Sequence, residues 1–152
     1  MANNELKTLL DIFNQRIFRV PDYQRGYSWE KLQLEDFWED LQNLKDGKSH
    51  YTGLLTVEKV QQTSVRKSEK WDDDIWMFDK GFKAYYIIDG QQRLTTLIML
   101  LSVIFNRFTD EDMINYEPRP DLIKRFLYQE AGQYKSYIFG YEKDDPSNEY
   151  FK

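Results

Sequence analysis

Residues 89–97, which read Asp-Gly-Gln-Gln-Arg-Leu-Thr-Thr-Leu, combine groups that could hold a charged ligand. A strand-like run, residues 84–88, precedes them, and an apolar run with helical spacing, residues 94–108, follows. The first turn of a helix exposes backbone N–H groups at the positive end of the helix dipole, so it readily binds an anion. Gly90 lets the backbone approach a ligand closely, and Arg93 can bind two phosphate oxygens at once. The pattern predicts a phosphate or nucleotide site.

The other polar side chains of this segment extend the predicted site. Asp89, the last residue before the turn, could bind Mg²⁺, orient a water molecule or accept a ribose hydroxyl. Gln91 and Gln92 can hydrogen-bond a base, a sugar or a phosphate without adding charge. Thr95 or Thr96 could reach a phosphate or a metal ion.

A purely structural interpretation of residues 89–97 stays open, because an isolated Gly-x-x-Arg pattern is weak evidence for a site. Asp89 and Gly90 would then form a tight turn between strand and helix. Arg93 would pair with Asp89 or with another carboxylate. The hydroxyls of Thr95 and Thr96 would hydrogen-bond back to the helix backbone.

Residues 21–29 form a second segment with chemical potential, in which proline stiffens the start and Gly26 permits an unusual backbone angle. Flat apolar faces come from three aromatic residues, Tyr23, Tyr27 and Trp29. Gln24 and Arg25 supply hydrogen-bond donors. This composition suits stacking on a nucleic-acid base while an arginine neutralises phosphate. The alternative is an aromatic loop that closes one end of the core, with Arg25 paired to Glu30 or Asp22.

Three further features favour a structural interpretation. The acidic residues 72–74 could bind a metal ion, but an acidic run is usually a solvated loop. His50 is expected at the surface or at a strand edge. The basic residues within 66–70 could touch a nucleic-acid backbone, but a solvated loop is the simpler expectation.

Composition excludes several classes of protein. The formal net charge of the 152 residues is −5 and the pI is about 5.0, so the chain lacks the overall basic charge of a duplex-DNA binder. There is no cysteine, which excludes disulfides, thiolate zinc sites and cysteine nucleophiles. The single histidine nearly excludes a Ser-His triad or a multi-histidine metal site. We expect a cytoplasmic chain, with no signal peptide and no membrane partner.

The elements that must position these segments follow from apolar spacing and from helix and turn residues. Four helices are predicted. The first begins at Asn3 or Asn4 and includes the apolar positions Leu6, Leu9, Leu10 and Phe13, and the second begins at Ser28 and includes Leu34, Phe37, Trp38, Leu41 and Leu44, with Gly47 beyond its end. The third follows the motif at 89–97, and the fourth runs from Asp121 to a stop at Gly132. Strands are predicted over 17–20, 50–60, 75–78, 82–88 and 134–139, those at 75–78 and 82–88 forming a hairpin. Residues 61–70 are expected to form a mobile loop.

This order predicts an α+β fold in which helices pack on a small mixed sheet. The motif at 89–97 would then lie at the carboxyl end of a strand, where such folds commonly bind ligands. Asp145, Pro146 and Ser147 resemble the start of a helix just before the chain ends. We therefore expect residues 1–152 to be one partial domain, truncated at its C-terminus.

Together the two segments resemble one protein family. Pro-x-Tyr-Gln-Arg-x-Tyr-x-Trp at 21–29, followed by Asp-Gly-Gln-Gln-Arg-Leu-Thr-Thr-Leu at 89–97, is similar to the N-terminal domain of the GmrS/GmrD modification-dependent restriction family. Two long motifs in the right order are far more specific than either alone. The resemblance spans at least residues 17–108.

The resemblance implies a fold similar to ParB and sulfiredoxin, in which a Gly-x-x-Arg turn holds nucleotide phosphates. Gly90 and Arg93 occupy those two positions. It also implies nucleoside triphosphate binding, and hydrolysis that regulates DNA cleavage by a C-terminal domain or subunit of the HNH nuclease type. Because such a nuclease needs histidine, no nuclease centre is expected in this chain.

Three functional hypotheses follow. In the first, the domain binds a nucleoside triphosphate with Mg²⁺ and hydrolyses it. Gly90, Arg93, Thr95, Thr96 and Arg25 would hold the phosphates. Asp89 would position Mg²⁺ or water, and Gln91 or Gln92 would orient the attacking water. In the second, the same cleft recognises DNA without catalysis, with contacts from Tyr23, Gln24 and Tyr27 and basic charge from Arg16, Arg19 and Arg25. In the third, the domain only binds its C-terminal partner region.

Overall fold

The computed structural model describes residues 5–142 and 147–148. The helices are α1 (Leu9–Ile12), α2 (Lys31–Gln42), α3 (Gln62–Lys67), α4 (Ile75–Asp79), α5 (Gln91–Phe105) and α6 (Arg119–Phe126), with a 3-10 helix at Glu69–Asp74. The strands are β1 (Arg16–Val20), β2 (Thr56–Lys59), β3 (Lys83–Asp89), β4 (Met113–Ile114), β5 (Glu117–Pro118), β6 (Tyr128–Ala131), β7 (Tyr134–Tyr137) and β8 (Phe139–Tyr141).

A four-stranded sheet with the order β2-β3-β1-β8 forms the centre of the fold. β1 runs parallel to both β3 and β8, while β2 pairs antiparallel with β3. The carboxyl ends of three parallel strands therefore meet at one edge, where β3 ends at Asp89 and β8 ends at Tyr141. The expected α+β class with a small mixed sheet is confirmed, and the topology is compatible with a ParB-like fold.

The two faces of the sheet are covered by different parts of the chain. On one face, Phe18 of β1 lies beside Phe139 of β8 and packs edge-on against Phe13, with ring centroids 5.4 Å apart. α5 covers this face, since Thr95 hydrogen-bonds to the hydroxyl of Tyr141. Alternate strand residues point to opposite faces, so Arg19 points to the other side. That side is covered by the 3-10 helix.

The predicted elements that have long apolar runs or many β-branched residues are confirmed. β1 matches the predicted strand at 17–20, and residues 17, 18 and 20 are fully buried. β3 matches the predicted strand at 82–88, and α5 is the helix expected after the motif. β6 and β7 form an antiparallel hairpin whose turn contains Gly132.

Helix starts in the N-terminal part were predicted at the wrong residues. α1 begins at Leu9 because Thr8 caps it and Asp11 returns the hydrogen bond, while Leu6 is 91% exposed outside the helix. The predicted caps at Asn3 or Asn4 lie outside the described residues.

α2 begins after Glu30 rather than Ser28, because the Gln33 side chain bonds the backbone N–H of Glu30. Of its predicted apolar face, only Phe37 is fully buried, with its ring against Trp29. The helix ends at Gln42, well before Gly47.

The segment between 50 and 81 departs most from expectation. Only Thr56–Lys59 of the predicted strand at 50–60 forms a strand, β2, which pairs with β3. Residues 61–70, expected to be a mobile loop, form α3 and the start of the 3-10 helix. The predicted hairpin is wrong, because the apolar run at 75–78 forms α4 and buries Met77 and Phe78. Short apolar runs fit a strand or a buried helix equally, and tertiary packing decides between them.

Two predictions near the C-terminus are also wrong. α6 begins after Pro118 rather than at Asp121. Its second residue is Pro120, whose fixed φ and missing N–H suit the first turn of a helix. The helix ends at Phe126, and Gly132 is a hairpin turn instead of its stop. The strand expected over 134–139 is divided between β7 and β8. The predicted helix start at Asp145 and Pro146 lies outside the described residues.

Candidate functional site

Residues 89–93, which we call the motif turn, join β3 to α5 as the sequence predicted. Gly90 has φ = 94°, a left-handed conformation that favours glycine, and no side chain caps the helix behind it. α5 has no acidic residue in its first turn. No carboxylate within the first turn of α5 therefore accepts its free N–H groups or neutralises the positive end of its dipole.

Asp89 and Arg93 do not pair with each other. The Asp89 carboxylate is exposed, and its Oδ1 accepts the Gly90 N–H at 2.9 Å. Arg93 is also exposed, and within the described part of the chain it makes neither an ion pair nor a hydrogen bond. The alternative in which a carboxylate neutralises Arg93 is thus not seen in these residues.

The threonines of the motif are built into the core. Thr95 Oγ1 donates to the carbonyl of Gln91 at 2.6 Å and lies 2.9 Å from the Tyr141 hydroxyl. Thr96 Oγ1 donates to the carbonyl of Gln92 at 2.9 Å. This is the back-bonding that the structural interpretation predicted. A phosphate contact by either hydroxyl stays a prediction.

Residues 21–29, the aromatic loop, dock directly on the first turn of α5. The Gln92 side chain accepts the Ser28 N–H at 2.9 Å and donates to the Gly26 carbonyl at 3.1 Å. The hydroxyls of Tyr27 and Thr96 lie 2.9 Å apart. The structure therefore brings together two segments that are more than sixty residues apart in sequence.

The side chains of the aromatic loop divide between packing and exposure. Gln24 Nε2 donates to the Ile88 carbonyl at 3.3 Å, so it supports the end of β3. Tyr23 is 72% exposed. Arg25 is exposed too, and neither Asp22 nor Glu30 forms an ion pair with it in the described residues. Tyr23 and Arg25 are thus free to contact a ligand beside the motif turn.

Residues 53–55, the overlying segment, cross the motif turn and were missed by the sequence prediction. The Leu54 carbonyl passes so close to Gly90 that a Cβ on that glycine would lie 2.8 Å from the oxygen. Gly53, with φ = 108°, lies against the guanidinium of Arg93. A glycine inside a predicted strand is the feature that could have indicated this close approach.

Comparison with known families agrees with this geometry. The sequence model of the GmrSD restriction endonuclease N-terminal domain matches residues 8–152. The chain belongs to this family. The match includes both the aromatic loop and the motif turn, and it associates the chain with DNA restriction. No curated protein matches the chain.

On the opposite face of the sheet, this GmrSD N-terminal domain contains a second charged region. It was not predicted from the sequence, and the expected role of Arg19 in DNA contact is wrong because its side chain is buried in this region. Arg19 donates to the Asp74 carboxylate at 2.9 Å and to the Phe18 carbonyl at 2.8 Å. Both charged side chains are buried, and the guanidinium lies over the Trp71 ring. The expectation that residues 72–74 are a solvated loop is therefore wrong for Asp74.

Lys70 extends this region to the carboxyl ends of β1 and β8. Its Nζ donates to Asp22 at 2.8 Å and to Glu142 at 3.2 Å. The hydrogen bond from Lys70 holds the pKa of Asp22 below its usual value, and the same pair of bonds raises the pKa of Lys70. Burial and a hydrogen bond with Glu142 raise the pKa of Tyr86 to about 12. We call Arg19, Asp22, Lys70, Asp74 and Glu142 the ion cluster.

The remaining candidate features do not gather into a site. Arg66 pairs with Asp79 at 2.6 Å, and His50 is half-buried outside β2. In residues 5–142 and 147–148, no three acidic or histidine side chains are arranged to hold a metal ion. Across the same residues, no helix is long and apolar enough to cross a membrane.

Proposed function

We propose that this GmrSD N-terminal domain binds a nucleoside triphosphate at the motif turn. Gly90 and the first turn of α5 would receive the phosphates, and Arg93 would bind their oxygens. Arg25 on the docked aromatic loop would supply a second cation. The exposed ring of Tyr23 would stack on the base.

The observation that carries the proposal is Arg93 at the positive end of α5, which has no ion-pair partner among the described residues. A cation in the first turn of a helix is repelled by the helix dipole, by about 0.3–1 kcal/mol at an exposed position. Arg107, at the other end of α5, is exposed but lies where the dipole favours a cation. A bound phosphate group would offset this repulsion, because its negative charge is attracted both to Arg93 and to the positive end of the helix dipole.

Asp89 fits a magnesium ion that arrives with the triphosphate. Mg²⁺ typically takes one or two carboxylates together with phosphate oxygens and water, so a cluster of protein ligands is not needed. The exposed Asp89 carboxylate has one oxygen occupied by the Gly90 N–H. The ion would neutralise phosphate charge when bound.

For hydrolysis, the two glutamines of the motif would have different roles. Gln92 uses both ends of its amide to hold the aromatic loop. The Gln91 side chain is half-buried and makes no hydrogen bond in the described residues, so its amide could orient a water molecule. Phosphoryl transfer depends mostly on positioning and charge neutralisation, which suits a chain with no cysteine.

In the intact restriction protein, nucleotide binding would regulate DNA cleavage by a nuclease domain or subunit in the cytoplasm. Nucleotide binding at the motif turn would change the position of the aromatic loop, because Gln92 and Thr96 connect α5 to that loop. The nuclease and its DNA would be the partners of this domain.

Calorimetric titration with ATP, GTP, CTP and UTP, each with Mg²⁺, tests the proposal. Wild-type protein should bind at least one of them. Arg93→Ala should weaken that binding about ten- to a hundredfold, as expected for loss of a charge-assisted hydrogen bond. Arg107→Ala removes an exposed arginine from the other end of α5 and should leave the affinity unchanged. Equal effects of the two substitutions would contradict the proposal.

A second candidate function is DNA contact by the aromatic loop. The exposed Tyr23 and Arg25, which has no ion-pair partner in the part of the chain that the structure describes, favour it, since base stacking next to a phosphate-binding cation is typical of single-strand recognition. The net charge of −5 opposes strong binding to duplex DNA. A gel shift at low salt tests this function; absence of a shift with single-stranded and duplex DNA rejects it.

A further inference from the structure

The side chain of Arg93 lies against the backbone of Gly53. A Cβ at Gly53 would lie 1.8 Å from Arg93 Nη1 and 3.1 Å from its Cζ, so any larger residue would overlap the guanidinium. Both residues belong to segments that cross at the motif turn, where Leu54 passes over Gly90. The contact joins the cation of the first turn of α5 to the overlying segment.

We propose that Gly53 is a positioning residue, whose missing side chain lets Arg93 rest on the overlying segment and face a triphosphate. This inference rests on the proposed function and names a further part of that site. An arginine side chain loses much rotational freedom when it binds a phosphate. A backbone surface that holds the guanidinium beforehand removes part of this cost and so increases affinity.

The two glycines at this crossing have different roles because different atoms face them. A Cβ at Gly90 would meet the backbone oxygen of Leu54 at 2.8 Å, and that oxygen cannot move without shifting the segment. A Cβ at Gly53 would meet the end of a flexible, exposed side chain, which can move away. Substitution at Gly53 should therefore displace Arg93 and leave the fold in place.

Gly47 provides a matched control for backbone conformation. Gly47 and Gly53 both have positive φ, +74° and +108°, so alanine strains the backbone at either position. A Cβ at Gly47 would have nothing within 4 Å. Comparison of the two alanine variants therefore separates displacement of Arg93 from backbone strain.

The position of Arg93 can be measured without any nucleotide. In the ¹⁵N-labelled 152-residue protein, the Nε–Hε resonance of Arg93 is assigned by its loss in Arg93→Lys. Gly53→Ala should shift this resonance and lower its heteronuclear NOE, because the guanidinium becomes more mobile. Gly47→Ala should leave both unchanged. An unchanged Arg93 resonance in folded Gly53→Ala overturns the inference.

A double-mutant cycle tests the link to the ligand, with ATP and inorganic triphosphate as probes in the presence of Mg²⁺. Gly53→Ala should weaken binding about tenfold when Arg93 is present, which is the size of one charge-assisted contact. In the Arg93→Ala background, it should have no further effect. An equal loss in both backgrounds overturns the positioning role. If wild-type protein binds neither these probes nor GTP, CTP or UTP, the proposed function fails, while the resonance of Arg93 still decides the role of Gly53.

Discussion

The motif turn and the ion cluster lie near the same edge of the sheet, on opposite faces, and treat their arginines in opposite ways. Arg19 is buried, paired with Asp74 and stacked on Trp71. Arg93 is exposed and has no carboxylate partner among the described residues. A buried charge has lost its hydration and must be paired to offset that cost, whereas an exposed charge remains hydrated and available to a ligand.

The comparison therefore distinguishes arginines that stabilise the fold from those available for binding. Residue type alone makes no such distinction. Arg19 lies in β1 and Arg25 lies in the loop that follows this strand, yet Arg19 is buried in an ion pair and Arg25 is exposed. Substitutions in the ion cluster should therefore change stability, and substitutions in the motif turn should change binding with little effect on stability.

The largest effect is expected from Asp74→Ala. Removal of one partner leaves Arg19 buried and uncompensated, which costs about 3–5 kcal/mol of unfolding free energy. Urea denaturation followed by tryptophan fluorescence measures this loss. The control is Arg66→Ala, which breaks the exposed pair with Asp79 and should cost no more than about 1 kcal/mol. Similar losses in the two variants would show that burial of Arg19 is not decisive.

A smaller effect is expected from Gln92→Ala, which removes both hydrogen bonds to the aromatic loop. The loss of stability should be about 1–2 kcal/mol, and the amide protons of Tyr27 and Ser28 should exchange faster with solvent. Gln91→Ala, one residue earlier, should stay within about 0.5 kcal/mol of wild type. Unchanged exchange in Gln92→Ala would mean that the loop is held by other contacts.

Arginine substitutions at the two ends of α5 should change stability in opposite directions. Arg93→Ala relieves repulsion from the helix dipole and should raise the unfolding free energy by about 0.3–1 kcal/mol. Arg107→Ala removes a favourable cation near the C-terminus of α5 and should lower it by a similar amount. Thermal unfolding at low salt measures both. A clear destabilisation by Arg93→Ala would indicate a structural partner and would remove the contrast with Arg19.

The smallest effect concerns the pH dependence of Asp22. Its pKa is lowered in the folded protein, chiefly by the Lys70 hydrogen bond, so the folded state binds a proton less readily than the unfolded state. The stabilisation is therefore present above the usual pKa of 3.8 and is lost as pH falls below it. Asp22→Asn should be less stable than wild type at pH 6, and the difference should shrink between pH 4 and pH 2. A difference independent of pH would contradict this assignment.

The sequence predicted elements correctly where the apolar run was long or where a single residue determined the backbone conformation. β1, β3 and α5 have extended apolar runs, and Gly90 supplies the positive φ that the turn requires. It failed between 50 and 81, where short runs fit more than one element. There the buried Trp71, Met77 and Phe78 decided that helices form.

The family, the α+β class and the strand–turn–helix location of the motif were predictable from the amino-acid sequence, because these depend on residue order and local backbone preference. Which polar groups remain available depended on how the chain packs in three dimensions. Gln92 became occupied by the aromatic loop, Asp74 became buried, and Arg93 was left on Gly53. Those outcomes depend on segments distant in the chain, whose mutual approach no local pattern encodes.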